Sequence, residues 1–233
     1  MQSVEEYFNN LVYPGRNIVV GRTVDGDLFF TYGIMGRSAT SRNRIFKKEG
    51  GVIKTQAFDP SIVMDPSLII YNAVKMLDGK WVVTNGNQTD TIYDGLSDGL
   101  TFEEALETRM YEDDDPNWTP RISAYITPEH EENKALVRMA IIKNAHNHPR
   151  RFFYNYSEIE RDTALIIQTY EQSTDPLVSF SGEPIEVSMM GINTIEDIAY
   201  TVFKSQNEDN RISLLGVNIN TMETIIINSK EME

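Results

Sequence analysis

Four short segments of the chain concentrate side chains that could bind a small anion or move a proton. They are residues 13–16 with 21–22, residues 36–44, residues 84–91 and residues 112–121. Guanidinium groups bind phosphate oxygens through paired hydrogen bonds, and carboxylates and tyrosines can transfer protons. Each segment alone could be an ordinary turn, because turns favour Gly, Asn, Asp and Ser. Since all four lie at the ends of predicted strands, the pattern favours one convergent polar site.

Charge is distributed unevenly along the chain. The net charge is −14, yet residues 13–54 carry eight basic and three acidic side chains, whereas residues 94–116 carry nine acidic side chains and one arginine. Two interpretations stay open. The two segments could be solvated faces that attract one another, or the arginines could surround a small anion such as a phosphate.

Several chemistries are excluded by what the sequence lacks. With zero cysteines in 233 residues, disulfides, thiolate metal sites and thiol nucleophiles are ruled out. No Gly-rich phosphate loop, dinucleotide fingerprint or Gly-x-Ser-x-Gly elbow is present. His146 and His148 lie in an Asn- and Pro-containing segment that predicts a hairpin turn, so we expect no metal site there. The acidic balance argues against a nucleic-acid partner, and no apolar run is long enough to span a membrane.

The pattern of apolar residues predicts one α+β domain over residues 1–233, with about ten strands and two or three longer helices. Ser-x-x-Glu and Thr-x-x-Glu capping boxes at Ser3 and Thr101 predict two helix starts, the second helix reaching about residue 111. A third helix is predicted over 194–204. The predicted strands cover residues 17–22, 28–34, 53–58, 81–84, 122–127, 136–142, 152–156, 165–170, 211–219 and 224–228. Residues 68–77 are apolar and fit either type of element.

The polar segments also carry a colinear set of motifs that covers residues 13–172. The set is Tyr13-x-Gly15-Arg16, Val20-Gly21-Arg22, Tyr32, Arg37-Ser38-x-x-x-Arg42, Tyr71-Asn72, and residues 83–92, 119–124 and 169–172. In these positions the chain resembles the stand-alone, archaeal-type IMP cyclohydrolases. It departs from them at Gly36, where Ser is expected, at Gln88, where His is expected, and in its C-terminal third.

The resemblance implies a fold, a reaction and a set of site residues. The fold would be a four-layer α-β-β-α sandwich resembling the N-terminal nucleophile hydrolases, without autoprocessing. The reaction would be closure of 5-formamidoimidazole-4-carboxamide ribotide to inosine monophosphate, with no cofactor and no metal. Arg42, Tyr71 and Glu112 would be catalytic: Arg42 stabilises the formyl oxygen, Tyr71 donates a proton, and Glu112 orients or deprotonates the carboxamide. The substrate-binding residues would be Arg16, Arg22, Arg37, Ser38, Asn72, Asn85, Thr89, Asp90 and Arg121.

Two other functions stay open beside this one. The Gln88 change and the divergent C-terminal third fit a related enzyme acting on another purine-like nucleotide. A nucleotide-binding protein that kept the fold and lost turnover is the other alternative. We expect a cytoplasmic protein with a small-molecule nucleotide substrate and no membrane partner. A homo-oligomer stays open, since the sequence does not report on self-association.

Overall fold

Two antiparallel sheets form the centre of the computed structural model, which describes residues 1–62, 69–128 and 136–232. Leu68, the start of one predicted apolar segment, and His130 lie outside these ranges. The strands are β1 Asn17–Arg22, β2 Leu28–Met35, β3 Arg44–Glu49, β4 Val52–Ala57, β5 Asn72–Leu77, β6 Lys80–Thr84, β7 Arg121–Ile126, β8 Val137–Ala145, β9 His148–Tyr156, β10 Thr163–Gln168, β11 Tyr170–Gln172, β12 Val178–Ser179, β13 Ile185–Ser188, β14 Arg211–Asn218 and β15 Thr224–Asn228. The helices are α1 Val4–Asn9, α2 Ala39–Arg42, α3 Gln88–Ser97, α4 Phe102–Leu106 and α5 Ile195–Ser205.

The strands divide between a six-stranded sheet, a seven-stranded sheet and a small ribbon. The six-stranded sheet has the order β13-β10-β1-β2-β14-β15, the seven-stranded sheet runs from β3 to β9 in chain order, and β11 pairs with β12. All the strand pairs within these sheets are antiparallel. The prediction of an α+β fold is therefore confirmed.

The main hydrophobic core lies between the two sheets. Ile18 and Phe30 of the six-stranded sheet share it with Val83 and Ile122 of the seven-stranded sheet. Side chains alternate along each strand, so Val19, next to Ile18, points to the opposite face and packs with α1 and α5. A third cluster joins α3 and α4 to the outer face of the seven-stranded sheet. The layers therefore follow the order helix, sheet, sheet, helix.

Both predicted capping boxes are present and begin helices α1 and α4. In each box the Ser3 or Thr101 hydroxyl accepts from the third helical N–H, while the glutamate carboxylate accepts from the capping residue. Helix α4 ends at Leu106 rather than near residue 111 as predicted. The Arg151 guanidinium donates to the carbonyls of residues 106, 107 and 109 at 2.6–3.0 Å, so these carbonyls are satisfied without further helix.

Elements α2, α3, β3, β12 and β13 were not predicted from the sequence, and two of them bear on the site. Residues 84–91 fit a polar turn by sequence, but in the structure the turn ends at Asn87 and α3 follows. Its first residues, Gln88 and Thr89, are fully buried, and buried polar residues hide the apolar periodicity that marks a helix. Strand β3 was not predicted, because three of its six residues are exposed and charged. The predicted hairpin at His146 is confirmed by a two-residue turn whose residues both have positive φ.

Candidate active site

Parts of all four polar segments meet at one edge of the two-sheet core, where several strands begin or end. Strand β1 begins at Asn17 next to the end of β2, and β7 begins next to the end of β6. Residues that directly precede or follow these strands must therefore lie at this edge. Arg16 directly precedes β1 and Asn85 directly follows β6, while Tyr71 directly precedes β5, which is antiparallel to β6.

A buried ion pair joins the basic segment to the acidic one. Arg16 Nη2 donates to Glu112 Oε2 at 2.8 Å, and the Glu112 residue is only 5% exposed. The backbone N–H of Arg16 donates to Thr169 Oγ1, which fixes the start of β1 against the chain after β10. The Nε atom of Arg16 is buried and has no acceptor among the described residues. That N–H is therefore available to a ligand.

The surroundings of Glu112 act on its pKa in opposite directions. Burial raises the pKa of Glu112, and the nearby Asp114 adds to this, while the positive charges of Arg16 and Arg121 lower it; the net direction is upward. Burial lowers the pKa of Arg16, but Glu112 and three neighbouring tyrosines raise it, and the net direction is again upward. A carboxylate whose pKa is raised is a stronger base than an exposed glutamate.

Two tyrosine hydroxyls form a second buried pair, which links the two sheets. Tyr32 lies on β2 and Tyr71 directly precedes β5, and their Oη atoms are 2.6 Å apart. Tyr32 is fully buried and Tyr71 nearly so. Burial raises the pKa of both hydroxyls, while Arg16 and Arg44 lower it; the net direction is upward in each case. Both groups therefore keep their protons at neutral pH and can act as hydrogen-bond or proton donors.

The structure brings Arg44, rather than Arg42, into the surroundings of these tyrosines. Arg44 is 3% exposed and donates from Nη2 to the Met35 carbonyl and from Nε to the Ser41 carbonyl. Arg42 is half-buried at the end of α2. Together with Arg211 it lines a cavity of about 480 Å³, which none of the other candidate site residues lines. The sequence carried no signal to separate two arginines two residues apart at an unpredicted strand.

Arg121 anchors the turn between β6 and α3. Its Nη1 donates to Gln88 Oε1 at 2.8 Å, and its Nε donates to the Met110 carbonyl. Burial lowers the pKa of Arg121, as do the charges of Arg109 and Arg16, against the opposite effect of Glu112. A Cβ atom at Gly86 would lie 2.5 Å from Arg121 Nη1. A side chain at this position would therefore displace the Arg121 guanidinium and the Gln88 amide from each other.

The predicted nucleotide contacts on this turn are occupied by protein partners. Asn85 Nδ2 donates to the Pro120 carbonyl, and its Oδ1 accepts from Gln88 and from the Ile122 N–H. The hydroxyl of Thr89 pairs with that of Thr84 at 2.6 Å. These side chains hold the turn in place. Gln88, the residue that replaces the expected histidine, is thereby part of the Asn85–Arg121 network.

Asn72 and Asp90 lie side by side at the start of β5. Asn72 Nδ2 and Lys75 Nζ both donate to Asp90 Oδ1, at 2.9 and 3.0 Å. The Asp90 side chain is 42% exposed, so it can also accept from a ligand. Lys75 further lies over the ring of Tyr93.

Arg37 and Ser38 line the outside of the edge. Arg37 is exposed, lies over the Tyr13 ring at 5.0 Å, and donates to the Thr174 carbonyl. Ser38 caps α2 through its hydroxyl. Neither side chain contacts the buried pairs.

Arg22 lies at the opposite end of β1 from Arg16. A six-residue strand is roughly 20 Å long, and Arg22 Nη1 donates to the Gly26 carbonyl in the β1–β2 turn. The expectation that Arg22 joins the other site residues is therefore not met. Arg22 is six residues after Arg16 along the same extended strand, so the strand itself carries Arg22 away from the edge where Arg16 lies.

Sequence reasoning missed a hydroxyl chain beside Arg16. The Thr119 hydroxyl contacts both the Tyr170 hydroxyl and the Asp114 carboxylate, and Tyr170 stacks on Tyr13 at 5.9 Å. Burial raises the pKa of Tyr170. Thr119 and Tyr170 did belong to the quoted motifs, which was the available signal, whereas nothing marked Asp114 within its run of three aspartates.

Neither a cluster of metal-ligating side chains nor a helix that could span a membrane is found among the described residues. In residues 1–62, 69–128 and 136–232, no group of three or more His, Asp or Glu side chains is arranged to hold a metal ion. No helix within those ranges is both long and apolar enough to cross a membrane.

Comparison with known proteins gives one consistent family. The sequence profile of a family described as IMP cyclohydrolase-like protein matches residues 13–223. The match thus includes β14 and much of the C-terminal third, beyond the motifs that end at residue 172.

Similar archaeal proteins carry the same name. The chain is 30% identical to the IMP cyclohydrolase of Methanosphaera stadtmanae over 175 residues, which is 73% of this chain and 79% of that protein. It is 37% identical to the IMP cyclohydrolase of Methanopyrus kandleri over 116 residues, 48% of this chain and 57% of the relative. Identity to the Methanococcus maripaludis (strain S2) protein is 37% over 51% of this chain and 60% of the relative. The alignment thus covers less than two thirds of the last two relatives.

Proposed function

The chain belongs to the family of IMP cyclohydrolase-like proteins, and from that membership we propose that it converts 5-formamidoimidazole-4-carboxamide ribotide to inosine monophosphate. In this reaction the carboxamide nitrogen attacks the formyl carbon of the same molecule and loses one proton. The formamide nitrogen loses a second proton, and the formyl oxygen leaves with both as water. The step therefore needs a near-attack arrangement, a base and an acid.

Glu112 and Tyr71 supply the base and the acid in this proposal. Glu112 accepts the proton of the carboxamide nitrogen, because burial raises the pKa of Glu112 and makes it a better acceptor. Tyr71 donates to the formyl oxygen, because burial raises the pKa of Tyr71 and keeps its hydroxyl protonated. The observation that carries the proposal is that these two buried groups lie at one edge of a chain whose residues 13–223 match the family.

Arg42 is proposed to stabilise the negative charge that develops on the formyl oxygen. In this structure Arg42 lines a cavity that it shares with Arg211, so the role requires its guanidinium to turn toward the substrate. Arg44 already acts on Tyr71 through its charge. An experiment must therefore compare the two arginines.

Substrate contacts are proposed for residues around the same edge. Arg16 has a free buried Nε–H, and Arg37 and Ser38 form an exposed rim suited to a phosphate. Arg121, Asn72 and Asp90 would meet the base or ribose. Asn85 and Thr89 would act by holding the turn, since their polar atoms have protein partners.

The finer fold assignment is also a proposal. We infer that residues 1–233 form a single domain with the sandwich of N-terminal nucleophile hydrolases, supported by the core that both sheets share. The cytoplasmic location, the absence of a nucleic-acid partner and the open question of a homo-oligomer stay predictions from sequence.

The test is an ultraviolet assay that follows inosine monophosphate formation from the formylated ribotide by the purified chain, with and without a chelator. We expect turnover in both conditions, and a loss of about 10²-fold or more in Arg42→Ala. Arg22→Ala is the matched control, because Arg22 lies at the far end of β1. Arg44→Ala shows whether the neighbouring arginine carries the role instead.

Different failures of this assay have different meanings. An Arg42→Ala variant with wild-type turnover would refute the role of that residue and leave the activity standing. No turnover, combined with a melting temperature raised by inosine monophosphate, would favour another nucleotide substrate or a binding protein. Neither turnover nor stabilisation would contradict the proposed function.

A further inference from the structure

Tyr32 is a buried polar residue that the proposed reaction does not use. It is fully buried on β2, where its ring packs edge-on against Phe46 at 5.4 Å. A phenylalanine would fill the same space. The hydroxyl adds a group that must find a partner, because an unpaired buried hydroxyl is costly. Its partner is the hydroxyl of Tyr71, at 2.6 Å.

The direction of the hydrogen bond in this pair decides what the Tyr71 hydroxyl can do. Of two hydroxyls in one hydrogen bond, one donates and the other accepts. When Tyr32 donates, the O–H of Tyr71 points away from Tyr32 and is free for another acceptor. The bond then supports Tyr71 further once it has given up its proton, because a hydrogen bond to a phenolate is stronger than one to a neutral hydroxyl.

The surrounding positive charges also favour a phenolate at Tyr71. Arg16 and Arg44 both lower the pKa of Tyr71 from the high value that burial alone would set, and the hydrogen bond from Tyr32 lowers it as well. The other buried tyrosine nearby, Tyr170, has its hydroxyl engaged by Thr119. Tyr32 is thus the tyrosine placed to act on Tyr71.

We propose that Tyr32 is a positioning residue that orients the Tyr71 hydroxyl toward the formyl oxygen and stabilises the phenolate left after proton transfer. This inference rests on the proposed function, and it adds a residue that acts only through another. In the step, the Tyr71 O–H bond breaks, a bond forms between that proton and the formyl oxygen, and the electron pair stays on Tyr71. Glu112 passes the proton it took from the carboxamide nitrogen to the same oxygen, which leaves as water. The proton lost by the formamide nitrogen restores Tyr71, so both groups return to their starting states.

The experiment is a double-mutant cycle of Tyr32→Phe and Tyr71→Phe, assayed for kcat and KM with the formylated ribotide. Tyr32→Phe should lower kcat about tenfold, the size expected for one lost hydrogen bond, with KM changed by less than about twofold. In the Tyr71→Phe background the same substitution should cause no further loss, because its effect passes through Tyr71. Tyr7→Phe is the control, a buried tyrosine on α1 in the outer helix layer.

The outcomes separate this inference from the proposed function. A wild-type chain without turnover would overturn both. An active wild type would overturn the role of Tyr32 alone if Tyr32→Phe kept full kcat, or if the losses from the two substitutions multiplied. Should Tyr32→Phe fail to fold, 3-fluorotyrosine at position 32 keeps the ring and gives a stronger donor. It should raise kcat, and an unchanged kcat would refute the role.

Discussion

At the scale of single residues, the site depends on groups whose charges are balanced inside the protein. Removing Glu112 from water disfavours its charged form, and the two arginines beside it favour that form. Breaking such a pair by removing one partner leaves an unpaired buried charge. Because Arg16 and Glu112 form this buried ion pair, a change at either residue alters the charge balance of the other.

A pH–rate profile tests the state of Glu112. As pH falls through the raised pKa, Glu112 binds a proton and can no longer accept one. Activity should therefore fall at a higher pH than an ordinary glutamate, near 4.3, would give. Glu112→Gln should lose about 10²-fold or more in kcat, and its remaining activity should lack this acid limb. Glu107→Gln, at an exposed position, should keep the limb. A limb that persisted in Glu112→Gln would belong to another group.

At the scale of elements, β1 is the strand that positions the site, and its packing permits little change. Arg16 directly precedes it, and Gly21 lies where β10 and the Phe29 ring approach the backbone. A Cβ at Gly21 would lie 2.6 Å from the Thr163 carbonyl oxygen and 2.6 Å from Phe29 Cζ. Because one of these atoms is backbone, the strand itself would have to move.

Gly21→Ala should accordingly lower the free energy of unfolding by about 1–3 kcal/mol, the usual cost of overpacking. Urea unfolding followed by circular dichroism measures this. Gly51→Ala is the matched control, since a Cβ there meets no atom of the described residues within 4 Å, and it should change the free energy by less than about 0.5 kcal/mol. Equal effects of the two substitutions would contradict the role assigned to the close contact.

At the scale of the whole molecule, both sheets depend on one core. Phe30 is fully buried on β2 and packs against Trp81 of the other sheet, with ring centroids 5.5 Å apart. Each sheet covers the apolar inner face of the other, so separating the sheets would expose both faces to water. The two sheets should therefore unfold together.

Phe30→Ala should lower the free energy of unfolding by about 3–5 kcal/mol, with one transition seen by both tryptophan fluorescence and far-ultraviolet circular dichroism. Phe58→Ala, at a side chain that is 48% exposed, should stay within about 0.5 kcal/mol of the wild type. Separate transitions for the two probes would contradict a single domain over residues 1–233.

Secondary-structure elements could be predicted from the sequence better than contacts between residues that are distant along the chain. Capping boxes and alternating strands depend on local physics, and α1, β1 and β15 appear where expected. The family prediction is confirmed by the match over residues 13–223. The placement of Arg22, the inward position of Arg44 and the Tyr32–Tyr71 pair depend on strand direction and on contacts between sheets. Every residue of β2 is buried, so its pattern could not single out Tyr32.

The hydrogen bond between the Tyr32 and Tyr71 hydroxyls also depends on how the two sheets are aligned. Each sheet side carries one of the two oxygens, which are 2.6 Å apart, and O–H···O hydrogen bonds are confined to about 2.5–3.0 Å. A slide of one sheet over the other by about an ångström would leave both sheets folded and the apolar layer dry, yet it would separate the pair. Heat or mild denaturant should therefore abolish catalytic activity before any spectroscopic sign of unfolding appears.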